Sequence, residues 1–407
     1  MTARPLNILL VCRSFPAHRA GGMEWHAQDI ADGLAARGHT VHIATTRLPA
    51  TPALRPLRTN GEIIEIGGRG DGRYSLEFLR RLPAEVRALC RRTRIDVIHA
   101  QGFAGIPLAP GRRALPPVIT TIHGTLFSET PLDRRAWPTL SPRQRLAALW
   151  RFKHRLAAWP LWRAFLRSGM PFIADSAFTA RELRREGVRA PVAVVPLGID
   201  LDRHPRGARL AFDAATGRLV APSLISGEPP LLLLALGRLE RIKGFATLLD
   251  ACAHLPRTRP WRLVLAGDGP DRARLEARAA ALDIADRVFF AGRLAPEALA
   301  DWMASADVFL NPDQGQPAFG LVLAEALVQG APVLASRVGA HGEVLRPGDG
   351  RLLPAGESHA WTAALAAALD RLPEPPARRT RRAHRARTRF TRDAMIDGLE
   401  ALYRGFL

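Results

Sequence analysis

Short apolar segments alternate with longer segments of helical periodicity along this chain, and the alternation occurs in two successive series. In the first series, 7–12 and 40–45 have the pattern of buried strands, and the segment between them, 22–38, has helical spacing and ends in glycine. A repeated strand, helix, strand order predicts a parallel sheet with helices on its faces. Further short strands are predicted at 96–100, 117–122, 171–174 and 192–195.

A second series of the same kind follows a stretch that contains glycine and proline, 206–230. Its predicted strands are 231–236, 262–266, 288–291, 308–311 and 332–335, with helices between them. Open sheets of this type bind ligands at the carboxyl ends of their strands. The predicted fold class is therefore α/β, with two Rossmann-like doubly wound domains facing each other across a cleft.

Length and composition suit a folded chain of two domains. With 407 residues, of which 47% are hydrophobic and 24% charged, the chain can bury two cores. We place the first domain at 1–205, a linker at 206–230, the second domain at 231–388, and a C-terminal helix that packs back on the first domain at 389–407.

Cysteine content and hydropathy bear on the compartment. Cys12, Cys90 and Cys252 have no metal-ligand spacing and favour a reducing compartment. No segment reaches the roughly 18 apolar residues that a membrane-spanning helix needs, and the start lacks the features of a signal peptide. We therefore predict a cytoplasmic protein.

The net charge of +20 favours polyanionic partners, although a biased composition explains it equally well. The basic run 378–389 lacks interleaved aromatic residues, so we expect a solvated crossing segment and no nucleic-acid partner. The stretch 143–167 combines basic and aromatic residues without an acidic one. It fits contact with the inner face of an anionic membrane, or a helix that covers the first sheet with its aromatic residues in the core; the core helix is favoured.

The strongest chemical signal is the motif GRLERIKG at 237–244, directly after the predicted strand 231–236. Arg238 offers a planar fork of hydrogen-bond donors and Lys243 offers a compact charge. Both lie at the carboxyl end of a predicted strand, where ligands of open sheets bind. The motif therefore predicts a diphosphate site.

Three other motifs that contain glycine lie at predicted junctions between a strand and a helix: GGME, GDGP and FGLVLAEA. Glycine lets a ligand approach the backbone, and the N–H groups at a helix N-terminus favour an anion. A tight turn explains the first two motifs equally well. The candidate residues are Gly21, Gly22, Glu24, Gly267, Gly269, Phe319, Gly320, Leu321 and Glu325.

The order of these motifs resembles that of the group 1 (family 4) retaining glycosyltransferases. It runs GGxE, GRLxxxKG, GDGP and FGLVLAEA, with PVLAS behind. His123-Gly124, Asp175-Ser176 and the segment 194–200 also occupy positions typical of the family. The resemblance covers nearly the whole chain. It implies a GT-B fold and transfer of a hexose-like unit from a nucleoside diphosphate sugar to a hydroxyl of a polysaccharide or glycolipid, with retained anomeric configuration.

The resemblance also implies roles for single residues. Arg238 and Lys243 would bind the donor diphosphate and stabilise the leaving group, and His123 would hydrogen-bond the transferred sugar unless it is a structural histidine. Glu325 would hold the ribose hydroxyls. The wider donor site would include Gly22, Gly237, Gly267, Gly269, Phe319, Gly320 and Leu321, with Gly21 and Glu24 on the acceptor side. We expect no metal and no other cofactor, because the two cations already offset the diphosphate charge.

The sequence departs from the family pattern at Pro317, where an acidic residue is expected eight positions before Glu325. A proline removes an expected contact to the transferred sugar, and Asp313, Gln314 or Gln316 could substitute. Leu197 stands where the family commonly has asparagine, and we expect only a local loop change.

Two further patterns resemble functional motifs. The segment 200–202 has the form Asp-x-Asp of a metal-binding motif but fits a turn that closes the first domain, and the glycine cluster 67–72 fits a loop near the acceptor side.

Two other functions stay open at this point. Pro317, in place of the expected acidic residue, is compatible with a non-catalytic sugar-binding or nucleotide-binding homologue. A hydrolysing sugar-nucleotide epimerase would have the same two domains. A nicotinamide-dependent dehydrogenase is disfavoured, because the glycine spacing after the first strand is not that of a dinucleotide fingerprint.

Overall fold

The chain forms two units in the computed structural model, which describes residues 4–19, 21–125 and 158–407. Unit 1 comprises Met1–Gly198 together with Arg392–Leu407, and unit 2 comprises Ile199–Thr391. From the sequence we expect the corresponding boundaries at 205 and 388. The chain thus leaves unit 1 a few residues earlier than expected and returns to it a few residues later.

The sheet of unit 1 has seven parallel strands in the order β3-β2-β1-β4-β5-β6-β7. The strands are β1 (Asn7–Val11), β2 (Thr40–Thr45), β3 (Ile63–Glu65), β4 (Val97–Gln101), β5 (Val118–Ile122), β6 (Phe172–Ala174) and β7 (Val192–Val194). Strand β1 is apolar on both faces and almost fully buried, as expected when helices cover both sides of a parallel sheet. Strands β4 and β5 also bury polar side chains, among them His99, Gln101 and Thr121.

The helices of unit 1 are α1 (Gly22–Ala36), α2 (Leu76–Arg92), α3 (158–166), α4 (Ala177–Arg185) and the C-terminal helix (Arg392–Arg404). The C-terminal helix packs on α1. Gly33 leaves room for this contact, since a Cβ atom at Gly33 would lie 2.7 Å from Cγ1 of Ile396. A glycine inside a helix costs stability, and here its lack of a side chain admits the neighbouring helix.

Unit 2 begins with an antiparallel hairpin of β8 (Ala211–Asp213) and β9 (Arg218–Val220). The hairpin lies in the stretch 206–230, which we expect from the sequence to be a linker. Phe212 is buried, and its ring centroid lies 5.7 Å from that of Phe289 and 6.0 Å from that of Trp302. This aromatic packing makes the stretch part of unit 2.

The main sheet of unit 2 has six parallel strands in the order β12-β11-β10-β13-β14-β15. The strands are β10 (Leu231–Leu236), β11 (Trp261–Ala266), β12 (Val288–Gly292), β13 (Val308–Asn311), β14 (Val333–Ser336) and β15 (Gly350–Leu353). The helices are α5 (Phe245–Ala253), α6 (Arg272–Ala281), α7 (Leu299–Ser305), α8 (Leu321–Val328), α9 (His341–Val344), α10 (Ser358–Leu369) and α11 (Pro376–Arg389).

Every strand predicted from the sequence is present, and its ends differ from the predicted ones by at most one residue. The strands missed are β3 and β15, which are outermost in their sheets, and the two strands of the hairpin. Outermost strands are short and partly exposed, so their apolar pattern is weak. Helices α2, α4, α9 and α10 are also absent from the sequence-based predictions.

The basic run 378–389 is a correction to the sequence-based expectation. It is not a solvated crossing segment, because it forms most of α11 and buries Arg379 and Arg382. Arg379 donates to the main-chain oxygens of Ala304 and Ala306, at 2.6 and 2.9 Å. Arg382 donates to the main-chain oxygen of Gly330 at 2.8 Å and pairs with Glu374 at 2.7 Å. Arginines three positions apart share a helix face, and their guanidinium groups satisfy carbonyls that lack helical partners.

The basic, aromatic stretch 143–167 lies partly outside the described residues, which resume at 158. Within α3, Trp162 and Phe165 are buried in the core of unit 1. This part of the stretch follows the core-helix alternative. Among the helices in the described ranges, none is both long and apolar enough to span a bilayer.

Candidate functional site

The loops that follow β10 and β13 meet at the carboxyl edge of the unit 2 sheet, where these two strands are neighbours. Lys243 Nζ donates to Asp313 Oδ2 at 2.6 Å, and Gln314 N donates to the main-chain oxygen of Ile242 at 2.8 Å. The Asp313 side chain is buried, whereas 38% of the Lys243 side chain is exposed. An ammonium group has three N–H donors, so two remain for a ligand. Sequence spacing alone gave no sign of this pair.

Arg238 lies in the same loop, closer to β10. Its side chain is 75% exposed, and Nη2 lies 2.8 Å from Glu240 Oε1. An exposed ion pair of this kind contributes about 0–1 kcal/mol. The guanidinium can therefore turn towards an anionic ligand at little cost.

The glycines of GRLERIKG and GDGP bring two loop backbones together. A Cβ atom at Gly267 would lie 1.9 Å from the main-chain oxygen of Gly237, and one at Gly269 would lie 2.4 Å from that of Leu239. Leu239 N also donates to the main-chain oxygen of Asp268 at 3.0 Å. From the sequence we expect these glycines to let a ligand approach the backbone. In the structure, Gly267 and Gly269 let the loop of GDGP approach the loop of GRLERIKG.

Helix α8 begins after Gly320, which has a left-handed backbone (φ 99°) and provides no side-chain cap. Leu323 N already donates to the main-chain oxygen of Gly320 at 2.9 Å, so the N–H groups of Leu321 and Val322 are those of the first turn that can bind an anion. Phe319 is buried, and its ring lies 6.0 Å from that of Phe390. Glu325, one turn into α8, has Oε1 3.8 Å from Nε2 of His204. Burial lowers the pKa of His204 to about 4, so this contact joins a carboxylate to a neutral ring at neutral pH.

In unit 1, His123 follows β5 and belongs to a buried polar network. Its Nδ1 is 2.8 Å from Asp175 Oδ2, and its Nε2 is 2.7 Å from Gln101 Oε1. The ring is therefore held by two partners, and only 7% of the side chain is exposed. A direct contact between a sugar hydroxyl and a ring nitrogen requires one partner to yield.

The network continues from Gln101 to the C-terminal helix. Gln101 Nε2 is 3.1 Å from His99 Nε2, which is 2.6 Å from Thr121 Oγ1. His99 Nδ1 is hydrogen-bonded to the Tyr403 hydroxyl at 2.6 Å. Burial lowers the pKa of His99 to about 3, so the ring is neutral at physiological pH. With Nε2 accepting from Gln101 and Thr121, the proton of His99 lies on Nδ1 and is donated to Tyr403.

His26, His123 and Asp175 bring three potential metal ligands within 4.8 Å of one another. Both ring nitrogens of His26 and Oδ1 of Asp175 are buried and have no partner among the described residues. Burial also lowers the pKa of His26 well below its usual value. Because both nitrogens of His123 are engaged, two ligand groups are available, fewer than the three protein ligands typical of a catalytic zinc site.

The GGME motif forms the start of α1, where Gly22 is exposed. Glu24 is buried, and its Oε1 accepts from Ser14 Oγ and Arg19 Nε, both at 2.7 Å. Its Oε2 lies close to Gly21, at 2.2 Å from where a Cβ atom would be. The carboxylate therefore fixes the loop that leads into α1.

Comparison with known proteins gives a family for each part of the chain. The model of Glycosyltransferase Family 4 matches residues 20–203, and that of Glycosyl transferases group 1 matches residues 221–388. The chain is 29% identical over 358 residues to a phosphatidyl-myo-inositol mannosyltransferase of Mycobacterium leprae, which covers 86% of this chain and 84% of that protein.

Solved structures share the fold over nearly the full length of the chain. A sucrose-phosphate synthase from Thermosynechococcus elongatus superposes with a TM-score of 0.75 at 23% identity, covering 98% of both chains. Anabaena Alr3699/HepE in complex with UDP gives a TM-score of 0.72 at 19% identity, covering 98% of this chain and 100% of that one.

The two parallel α/β sheets and the similarity to these structures show the GT-B type of fold, and the predicted α/β class with two Rossmann-like domains is confirmed. The chain belongs to the group 1 glycosyltransferases, whose two family models together cover most of it. These matches do not favour the two alternatives left open by the sequence, a non-catalytic binding homologue and a hydrolysing sugar-nucleotide epimerase.

Proposed function

We propose that this glycosyltransferase moves a hexose-like unit from a nucleoside diphosphate sugar to a hydroxyl of a saccharide or glycolipid, with retention of anomeric configuration. The names of its relatives support a nucleotide-linked donor and a glycolipid or saccharide acceptor, since they include a phosphatidyl-myo-inositol mannosyltransferase and a protein in complex with UDP.

The observation that carries the proposal is the Lys243–Asp313 pair beside Arg238, at the carboxyl edge of β10 and β13. Lys243 and Arg238 each have N–H donors beyond those used by Asp313 and Glu240, and cationic donors at this edge of a sheet suit a diphosphate. As the bond between the sugar and the diphosphate breaks, negative charge grows on the leaving oxygen. Cationic donors directed at that oxygen lower the barrier.

The proposed reaction breaks the bond from the anomeric carbon to the diphosphate and forms a bond from that carbon to the acceptor oxygen on the same face. The acceptor proton passes to the leaving diphosphate. Arg238 and Lys243 hold the diphosphate, and His123 contacts the transferred sugar. No divalent metal takes part, because the two side chains supply the positive charge.

The remaining assignments are part of the same proposal. Glu325 holds the ribose hydroxyls, and Gly21 and Glu24 lie on the acceptor side. The backbone of the donor site is supplied by Gly22, Gly237, Gly267, Gly269, Phe319, Gly320 and Leu321. The cytoplasmic location and contact with an anionic membrane surface stay predictions.

The first test measures sugar transfer with a panel of UDP- and GDP-sugars and a lipid-linked or saccharide acceptor, with and without EDTA. Arg238→Ala and Lys243→Ala should each lower kcat about 100-fold or more, as loss of a charge-stabilising donor does, and EDTA should have no effect. Arg257→Ala is the matched control, since Arg257 is another exposed arginine of unit 2 paired with an aspartate. A parent protein that transfers no sugar, or equal activity in all three variants, would contradict the proposal.

A further inference from the structure

A buried histidine in unit 2 has a ring nitrogen without a partner. His341 begins α9, is 1% exposed, and has Nδ1 at 2.9 Å from the main-chain oxygen of Ser336. A carbonyl oxygen only accepts, so Nδ1 carries the proton. Nε2 has no hydrogen-bond partner among the described residues.

Burial, more than the neighbouring charges, decides the protonation state of His341. Burial is the largest influence and lowers the pKa of His341, and Lys243 acts in the same direction. The contact with Ser336 and the charge of Asp313 act in the opposite direction without cancelling the burial effect. The ring is therefore neutral at physiological pH, and Nε2 presents a lone pair that needs a donor.

The position of Nε2 places this lone pair at the start of α8. A Cβ atom at Gly320 would lie 2.9 Å from Cδ2 of His341 and 3.3 Å from its Nε2. Ser336, at the carboxyl end of β14, has a buried hydroxyl that also lacks a partner among the described residues. Unsatisfied buried polar groups are rare in native proteins and call for an explanation. A bound ligand at this edge provides one.

The residues just before His341 are hydrogen-bonded to Pro317 and its neighbour Gln316, and Pro317 is the position that lacks the expected carboxylate. The main-chain oxygen of Pro317 accepts from Ala340 N at 2.9 Å, and Gln316 Oε1 accepts from Gly339 N at 3.1 Å. His341 is the next residue along the chain. An acceptor on this segment thus lies beside the place where an acidic side chain would have accepted hydrogen bonds.

We propose that Nε2 of His341 accepts a hydrogen bond from a hydroxyl of the transferred sugar, in place of the carboxylate that Pro317 removes. The inference rests on the proposed function and names the residue that recognises the sugar. A neutral lone pair repels phosphate oxygens, whereas sugar hydroxyls are donors. His341 is therefore a determinant of sugar specificity within the donor site.

Two substitutions test the roles of the two ring nitrogens of His341 separately. His341→Asn keeps an N–H group near the position of Nδ1, so it can still donate to Ser336, but it removes the acceptor at Nε2. His341→Gln places an amide oxygen near the position of Nε2. His359→Asn is the matched control, because the His359 side chain is 84% exposed on α10.

The experiment measures binding of UDP, GDP, UDP-glucose, UDP-galactose and GDP-mannose by calorimetry to the parent and the three variants. We expect His341→Asn to weaken binding of the preferred sugar nucleotide about fivefold to tenfold. Binding of the corresponding nucleoside diphosphate should not change, and His341→Gln should retain most of the affinity for the sugar nucleotide. The control should match the parent.

The outcomes distinguish this inference from the proposed function. If the parent binds a sugar nucleotide and transfers its sugar, but His341→Asn binds it equally well, the inference alone is overturned. Equal weakening of sugar nucleotide and nucleoside diphosphate also overturns it, since that result indicates a nucleobase contact or a structural role. A parent that binds none of the sugar nucleotides contradicts the proposed function and the inference together.

Discussion

Gly244 shows how a residue without a side chain positions two charged ones. It has a left-handed backbone (φ 68°), and a Cβ atom there would lie 2.1 Å from the main-chain oxygen of Pro312. This close approach joins the loop of Lys243 to the loop of Asp313. The ion pair therefore depends on Gly244. A glycine is needed there because the loop after β13, far along the chain, passes so close.

We predict that Gly244→Ala lowers the free energy of unfolding and weakens binding of nucleoside diphosphates. The left-handed backbone alone costs a side chain about 1–2 kcal/mol, and the overlap with Pro312 adds about 1–3 kcal/mol. Gly227→Ala is the control, because Gly227 also has a positive φ of 84° but no atom of the described residues lies within 4 Å of its Cβ position. Denaturant unfolding and UDP or GDP binding measure both effects. Equal losses in the two variants would show that the close contact is unimportant.

At the scale of elements, the C-terminal helix ties the end of the chain to the polar network of unit 1. Tyr403 is fully buried, and its hydroxyl is bonded to His99. His99 in turn contacts Gln101, which is bonded to His123. A helix at the end of the sequence thus completes the set of contacts that orients a candidate catalytic residue in the first half.

We expect Tyr403→Phe to destabilise unit 1 by about 1–3 kcal/mol, because the buried Nδ1–H group of His99 loses its acceptor. Tyr74→Phe is a suitable control, since the Tyr74 hydroxyl makes a longer bond, 3.3 Å, to the main-chain oxygen of Gln101. Its loss should cost less than about 1 kcal/mol. Urea unfolding of the two variants measures the difference, and a smaller loss for Tyr403→Phe than for Tyr74→Phe would contradict the network.

At the scale of the whole molecule, both units bury histidines whose pKa values are lowered by burial. His26 and His99 lie in unit 1, and His204 and His341 lie in unit 2. In the unfolded chain these rings bind a proton near pH 6.5. Between that pH and the lower native pKa values, about 3 for His99 and about 4 for His204, the unfolded chain holds more protons than the native one. Stability is therefore complete above pH 6.5 and falls as the pH is lowered.

We predict that the midpoint of denaturant unfolding falls steadily from pH 7 to pH 5. Each such histidine contributes up to about 1.4 kcal/mol per pH unit. His99→Gln should reduce the dependence of the free energy of unfolding on pH for unit 1, and His204→Gln should reduce it for unit 2. His359→Gln, at an exposed position, should leave both slopes unchanged. Slopes that do not respond to the two buried substitutions would show that other groups cause the acid sensitivity.

Local patterns in the sequence predicted eleven of the fifteen strands in the described residues, and the order of the motifs indicated the family. Apolar runs such as 231–236 predict buried strands because burial on both faces requires them, and Arg238 and Lys243 follow such a strand directly. The same local reasoning failed for α11. Its run of arginines predicts a solvated segment, but Arg379 and Arg382 are buried and donate to main-chain carbonyl groups. Local patterns do not predict the burial of a polar residue whose hydrogen-bond partners are distant in sequence.

Only the tertiary structure decided which side chains meet. Lys243 pairs with a residue 70 positions away, and His99 with one 304 positions away. The orphan nitrogen of His341 is visible only once the neighbours of its ring are known. Hydrophobic periodicity acts over a few residues and is readable in the chain itself, whereas hydrogen bonds between loops depend on which strands the sheet places side by side.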